Sequence, residues 1–193
     1  MNEEERELIN LAKKKKNKKR ELVNVRWIIE IIVISFVLSF LLSFISNKAI
    51  PNINVFWGIL ITLLIVFINI LFDIIGVSVT ASDEKVFNSM AARKVKGASL
   101  AVSFKKNAEK VSSFCCDVIG DICGIISGAC GTNITLIMVN SFNFDLLLTG
   151  LIVAAVIASL TIGGKAIGKG FAINNSNIIL YEFVRVISIF HKS

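Results

Sequence analysis

The chain has 193 residues, 54% of them hydrophobic and only 18% charged, with a formal net charge of +7. Soluble domains average about 25% charged residues, and a mean hydropathy of +0.74 excludes a disordered chain and argues strongly against an ordinary soluble enzyme. One histidine and one proline weigh against metal chemistry that needs several imidazoles.

Four segments are apolar for the roughly 20 residues that a helix needs to cross a bilayer. In chain order they are Trp27–Ser46, Ile53–Ser82, Phe114–Val139 and Leu146–Gly163. Three spans plus one surface helix is the rival arrangement. The first segment follows a long basic tail with no clean small-residue cleavage site, so it reads as a retained span. With four spans, the basic residues partition twenty to one. Met1–Arg26, Asp83–Ser113 and Gly164–Ser193 fall on one side, and the connection carrying Lys48 on the other. The positive-inside rule then places both termini in the cytoplasm.

The tail of residues 1–26 contains the run Lys13–Arg20. No aromatic residue is interleaved with these lysines, so a base-stacking surface for nucleic acid is not indicated. The expected role is an anchor on anionic headgroups. Within Asp83–Ser113, Leu100, Phe104, Ala108 and Val111 recur at helical spacing beside Lys105, Lys106 and Lys110. This pattern predicts an amphipathic belt in the headgroup region, apolar side down and lysines snorkelling. Val86, Phe87 and Met90 predict a similar short piece before Gly97. Residues 173–193 predict an amphipathic helix capped by Asn177. Its polar stripe is Glu182, Arg185, Ser188 and Lys192, and its apolar side Ile178, Ile179, Phe183, Val186, Ile187 and Phe190. The expected fold is an all-α membrane protein of about four transmembrane helices, a basic juxtamembrane belt and a C-terminal amphipathic helix.

Gly120, Gly124 and Gly128 recur every four residues, a small-residue seam that lets another helix approach closely. A glycine-lined ion path is compatible with it. Cys116, Cys123 and Cys130 are seven apart, with Cys115 adjoining. That spacing lacks the close pairs of zinc sites, so the thiols read as small apolar residues lining the same seam. Ionisable groups inside spans are functional candidates because burying them in lipid is costly. They are Glu30, within reach of Arg26, and Asp73, Asp117 and Asp121. Asp73 and Asp121 lie deepest. No Ser/His/Asp set, phosphate loop or acid–base pair appears, and nothing argues for an enzyme.

Three stretches together resemble the transmembrane domain of the cyclin M/CorB–CorC magnesium transporters. They are Phe72-Asp73-Ile74-Ile75-Gly76-Val77-Ser78 before the basic Arg93-Lys94-Val95-Lys96, then Ile119-Gly120-Asp121, and then Gly164-Lys165-Ala166-Ile167-Gly168-Lys169-Gly170-Phe171-Ala172. The resemblance covers residues 53–172; residues 27–46 are an added N-terminal helix. It implies a multi-pass plasma-membrane protein that transports divalent cations, magnesium foremost, and assembles as a homodimer in the bilayer. A non-transporting sensor or assembly partner on the same scaffold is the alternative. The implied ion-path positions are Asp73, Ser78, Gly120, Asp121, Gly164, Lys165, Gly168 and Lys169, with Asp73 and Asp121 as metal-ligand candidates. The family's site serine falls on Asp73, its asparagine on Asp121, its glutamate on Lys165 and its proline on Gly168. The family's cytosolic nucleotide-sensing modules have no counterpart in this sequence. Buried charges of opposite sign pair, so Lys165 is expected to bridge to Asp121 or Asp73.

Overall fold

The structure, a computed structural model, describes residues 25–49 and 54–190. These are helical, with no strand among the described residues. The order is α1 (Val25–Ala49), α2 (Val55–Ala81), α3 (Glu84–Ala92), α4 (Ala98–Lys106), α5 (Ala108–Ser113), a π-helical turn (Phe114–Ile119), α6 (Gly120–Phe142), α7 (Leu146–Asn174) and α8 (Ser176–Phe190). The chain divides into two compact units, Met1–Leu38 and Ser39–Ser193. The basic run Lys13–Arg20 and the C-terminal Lys192 lie outside the described residues, as does the side chain of Arg26, the expected partner of Glu30.

Three helical runs are long and apolar enough to cross a membrane: Val55–Ala81, the continuous run Ala108–Phe142, and Leu146–Asn174. The described apolar part of α1 is shorter, Ile28–Leu41. The last long run extends past the expected end at Gly163. Gly163, Gly164, Gly168 and Gly170 are all helical, and Lys165 and Lys169 therefore sit on the helix one turn apart.

α2 shows why these helices assemble. Its buried positions include Gly58, Thr62, Val66, Asn69, Asp73 and Gly76, a three-and-four spacing that makes one stripe. Phe56, Trp57, Leu63, Leu64 and Phe67 on the opposite side are exposed. Polar residues inside and large apolar residues outside invert the soluble pattern, as expected where the solvent is lipid. Hydroxyls on the inner faces are satisfied within their own helices: Thr62 donates to the carbonyl of Gly58 at 2.8 Å, Ser78 to Ile74 at 2.7 Å and Thr135 to Gly131 at 2.9 Å.

At the Ala81 end of α2 a small apolar core forms from Val79, Phe87, Ala101, Leu180 and Val184, with Leu100, Phe104, Ala108 and Val111 packed against it. The sequence pattern assigned those last four residues to a lipid-facing belt. Their apolar side instead meets α8 and the end of α2, because a nearby protein surface covers them as well as headgroups would. The same holds for α8. Its buried apolar residues are Leu180 and Val184, while Ile178 and Val186 of the expected apolar side are exposed. Asn177 does not cap α8, which begins at Ser176. Its Oδ1 accepts a hydrogen bond from the backbone N–H of Asp83 at 2.8 Å, fastening α8 to the start of α3.

The turn from α3 to α4 relies on two left-handed residues, Lys94 at φ 55° and Gly97 at φ 82°. Lys94 follows α3, and the Val95 N–H reaches back to the Met90 carbonyl at 3.1 Å, the six-to-one bond of a Schellman motif.

Lys105 does not snorkel. Its Nζ donates to the carbonyls of Val79 at 3.2 Å and Thr80 at 2.7 Å. The Val79 carbonyl also accepts from the Ser82 hydroxyl at 3.0 Å, and the ammonium at both carbonyls caps the last turn of α2 and opposes the negative end of the helix dipole. Lys105→Met is expected to cost about 1 kcal/mol, read as a lowered unfolding midpoint in detergent, with Lys106→Met, whose residue is exposed, unchanged.

Candidate functional site

Asp73 faces inward from the middle of the α2 stripe and is 4% exposed. Two lysines of α7 approach it. Lys165 Nζ lies 3.6 Å from Oδ1, and Lys169 Nζ lies 4.0 Å from Oδ2. The first side chain is largely covered, whereas that of Lys169 is 54% exposed. At 3.6 and 4.0 Å both contacts are electrostatic, too long for hydrogen bonds.

Glycines allow this approach. A Cβ at Gly168 would meet Ile74 Cγ1 at 2.8 Å, and one at Gly164 would collide with the Ile70 side chain. These glycines, one turn apart, seat α7 against Ile70 and Ile74 and so bring the next residues, Lys165 and Lys169, within reach of Asp73. From α6, a Cβ at Gly120 would lie 3.3 Å from Lys165 Nζ and 3.4 Å from Asn69 Oδ1. The bare glycine therefore leaves room for both polar groups at one point.

Asn69 is a site residue that the sequence reading did not single out. It lies one helical turn before Asp73 on the buried stripe and is 3% exposed. Its Oδ1 and the Oδ2 of Asp73 are buried without a hydrogen-bond partner among the described residues. The signal was present as a four-residue polar spacing inside an apolar span, but asparagine carries no charge and was not counted among the costly groups.

The positions implied by the resemblance therefore separate. Asp73, Gly120, Lys165 and Lys169 come together, and Gly164 and Gly168 pack beside them. Ser78 is buried but its hydroxyl is engaged within α2. Asp121 is exposed and makes no ion pair among the described residues; Lys165 pairs with Asp73, not Asp121. The π-helical turn Phe114–Ile119 leads directly into α6, where Gly120 and not Asp121 faces Lys165. Such turns cluster at functional sites.

The seam expected at Gly120, Gly124 and Gly128 is not packed along its length. Nothing lies within 4 Å of a Cβ placed on Gly124 or Gly128. Both open on a cleft of about 520 Å³ between α6 and α7, lined also by Ser127, Thr132, Thr135, Ala154 and Thr161. The close contact falls further on, at Gly131, where a Cβ would meet Ile157 Cδ1 at 2.7 Å. The four cysteines also divide: Cys115 and Cys130 are buried and Cys116 and Cys123 partly so. Cys116 lies against α2, with Sγ 3.7 Å from the Asp73 carbonyl oxygen.

Among the described residues no group of three or more His, Cys, Asp and Glu is placed to hold a metal ion. What the arrangement offers chemically is one buried carboxylate, one buried amide oxygen and two lysine ammoniums beside them. No protein-family model, curated protein or solved structure matches the chain.

Proposed function

We propose that the chain is a multi-pass membrane protein that moves a hard cation, magnesium being the first candidate, through a site built on Asp73. The observation that carries this reading is the pair of orphaned acceptor oxygens, Asn69 Oδ1 and Asp73 Oδ2, buried inside an apolar helix. Unsatisfied acceptors in a bilayer interior are costly, and a transient oxygen-seeking ligand accounts for their retention. Magnesium keeps several waters and uses one or two carboxylates, so one carboxylate and one amide suit a passing ion better than a resident one.

The same reading takes α1 as a fourth span and both termini as cytoplasmic, on the twenty-to-one basic asymmetry, and the membrane as the plasma membrane, on the resemblance. Thiol labelling of cysteines introduced at Lys48 and Ser141 tests it: both should react from outside the cell. Reaction of Ser141→Cys from the cytosolic side alone would overturn the four-span arrangement. A homodimer is part of the proposal, with the open Gly124–Gly128 stretch as its contact. A Cβ at Gly124 has nothing within 4 Å, and the cleft beside it leaves room for a larger side chain, so Gly124→Leu is expected to lower dimer content in detergent while the unfolding free energy of the protomer changes by no more than about 0.5 kcal/mol.

The second reading, a non-transporting sensor or assembly partner, draws on the Lys165–Asp73 ion pair, which neutralises the one carboxylate of the site. Proteoliposomes loaded with a magnesium-sensitive dye separate the two. Uptake above protein-free vesicles supports transport; none supports the partner role.

A further inference from the structure

The orphaned oxygens and the lysine occupy one small volume, and that juxtaposition carries an inference resting on the cation reading above. We propose that Lys165 is a tethered counter-cation: its ammonium and the cargo cation take Asp73 in alternation, and Asn69 supplies the second oxygen to the cargo.

Four observations combine. Asp73 is buried and its charge is compensated without cargo, by Lys165 Nζ at 3.6 Å from Oδ1 and more weakly by the half-exposed Lys169 Nζ at 4.0 Å from Oδ2. The Lys165 ammonium leaves the other carboxylate oxygen and the Asn69 amide oxygen unbonded, though lysine has three N–H donors. The lysine therefore satisfies the charge of the site but not its acceptors. Gly120 keeps the space beside both Lys165 Nζ and Asn69 Oδ1 free of side chain. A way out for the lysine also exists. Lys169, one turn further along α7, is 54% exposed, while Lys165 is 24% exposed, so a flexible four-carbon stem swings the ammonium from the buried carboxylate towards the exposed end. A divalent cargo on this carboxylate repels the largely covered Lys165 ammonium strongly in a low-dielectric interior, whereas the half-exposed Lys169 stays solvated, so Lys165 is the group that gives way. The consequence is a site that stays charge-paired, and closed to leak, until a cation with a stronger demand for oxygen displaces the amine.

The test uses full-length protein in detergent, unfolded thermally across a magnesium chloride titration with ionic strength held constant by choline chloride. The expected result is a half-stabilising magnesium concentration at least ~10-fold lower in Lys165→Ala than in the unaltered protein. Lys165→Met, which keeps the stem volume, should behave alike and serves if the alanine variant does not fold. Adding Asn69→Ala to either should raise the concentration again by ~10-fold. Methylammonium, a free stand-in for the lost amine, should compete with magnesium in Lys165→Ala and not in the unaltered protein. Equal magnesium concentrations with and without Lys165 would overturn the alternation, even if the unaltered protein transports. Absence of any magnesium response in both lysine variants would overturn it too, and if uptake were also absent the cation reading would fall with it.

Discussion

Lys165→Ala is expected to destabilise the protein by about 3 kcal/mol, and Asp73→Asn in the same chain to recover part of that loss. Breaking a buried ion pair from one side strands the other charge, which costs about 3–5 kcal/mol. The lower end applies here because Lys165 is 24% exposed and because Lys169 remains 4.0 Å from the other carboxylate oxygen. Lys169→Ala itself should cost less than about 1 kcal/mol, since a half-exposed ammonium is well solvated. Unfolding free energies of the two single variants and the double variant give the coupling, expected to exceed about 1 kcal/mol. Additive effects would show that Lys165 and Asp73 stand near each other without pairing.

A second large effect is expected at Gly76. It lies on the α2 stripe one turn after Asp73, where the helix touches the π-helical turn. A Cβ there would collide with Cys116 Sγ and would lie 3.2 Å from both Cys115 Cβ and the Ser112 carbonyl oxygen. The carbonyl is backbone and both cysteine atoms lie close to the main chain, so none yields as the end of a long side chain would. Gly76→Ala should therefore cost about 2 kcal/mol by overpacking and should push the start of α6 away from Asp73. Cys116→Ala in the same chain removes the worst collision and should restore about half. Gly170→Ala, with nothing within 4 Å, is the control. It should be neutral or slightly stabilising, because alanine is the better helix former. A Gly76→Ala protein as stable as the unaltered one would mean that α2 and the π-helical turn are not in this contact.

The helices themselves were legible because hydropathy is a length signal, and residues 55–81, 108–142 and 146–174 are long apolar runs. Which side of each helix faces inward was much less legible. In a membrane helix nearly every position is apolar, so the buried stripe of α2 is marked by its few small and polar residues, Gly58, Thr62, Asn69, Asp73 and Gly76. Counting charges found Asp73 and missed Asn69. The resemblance also put Asp121 at the site, whereas Gly120 faces Lys165 and Asp121 is exposed. The extension of α7 through four glycines to Asn174 runs against helix propensity; tight packing of Gly164 and Gly168 on α2 outweighs it. The segment at residues 98–111 and α8 were read correctly as amphipathic, but amphipathicity states that a face is covered and not by what. Headgroups were expected against residues 98–111, and the membrane or a second subunit against α8; Phe87, Leu180 and Val184 cover each other instead.

The most direct test is magnesium uptake into proteoliposomes by the unaltered chain, Asp73→Asn and Asp121→Asn, reconstituted at equal density. Asp73 lies in the charge-paired site and Asp121 is exposed outside it. Uptake should fall to the level of protein-free vesicles in Asp73→Asn and persist in Asp121→Asn. Undiminished uptake by Asp73→Asn, with loss in Asp121→Asn, would contradict a cation path through Asp73.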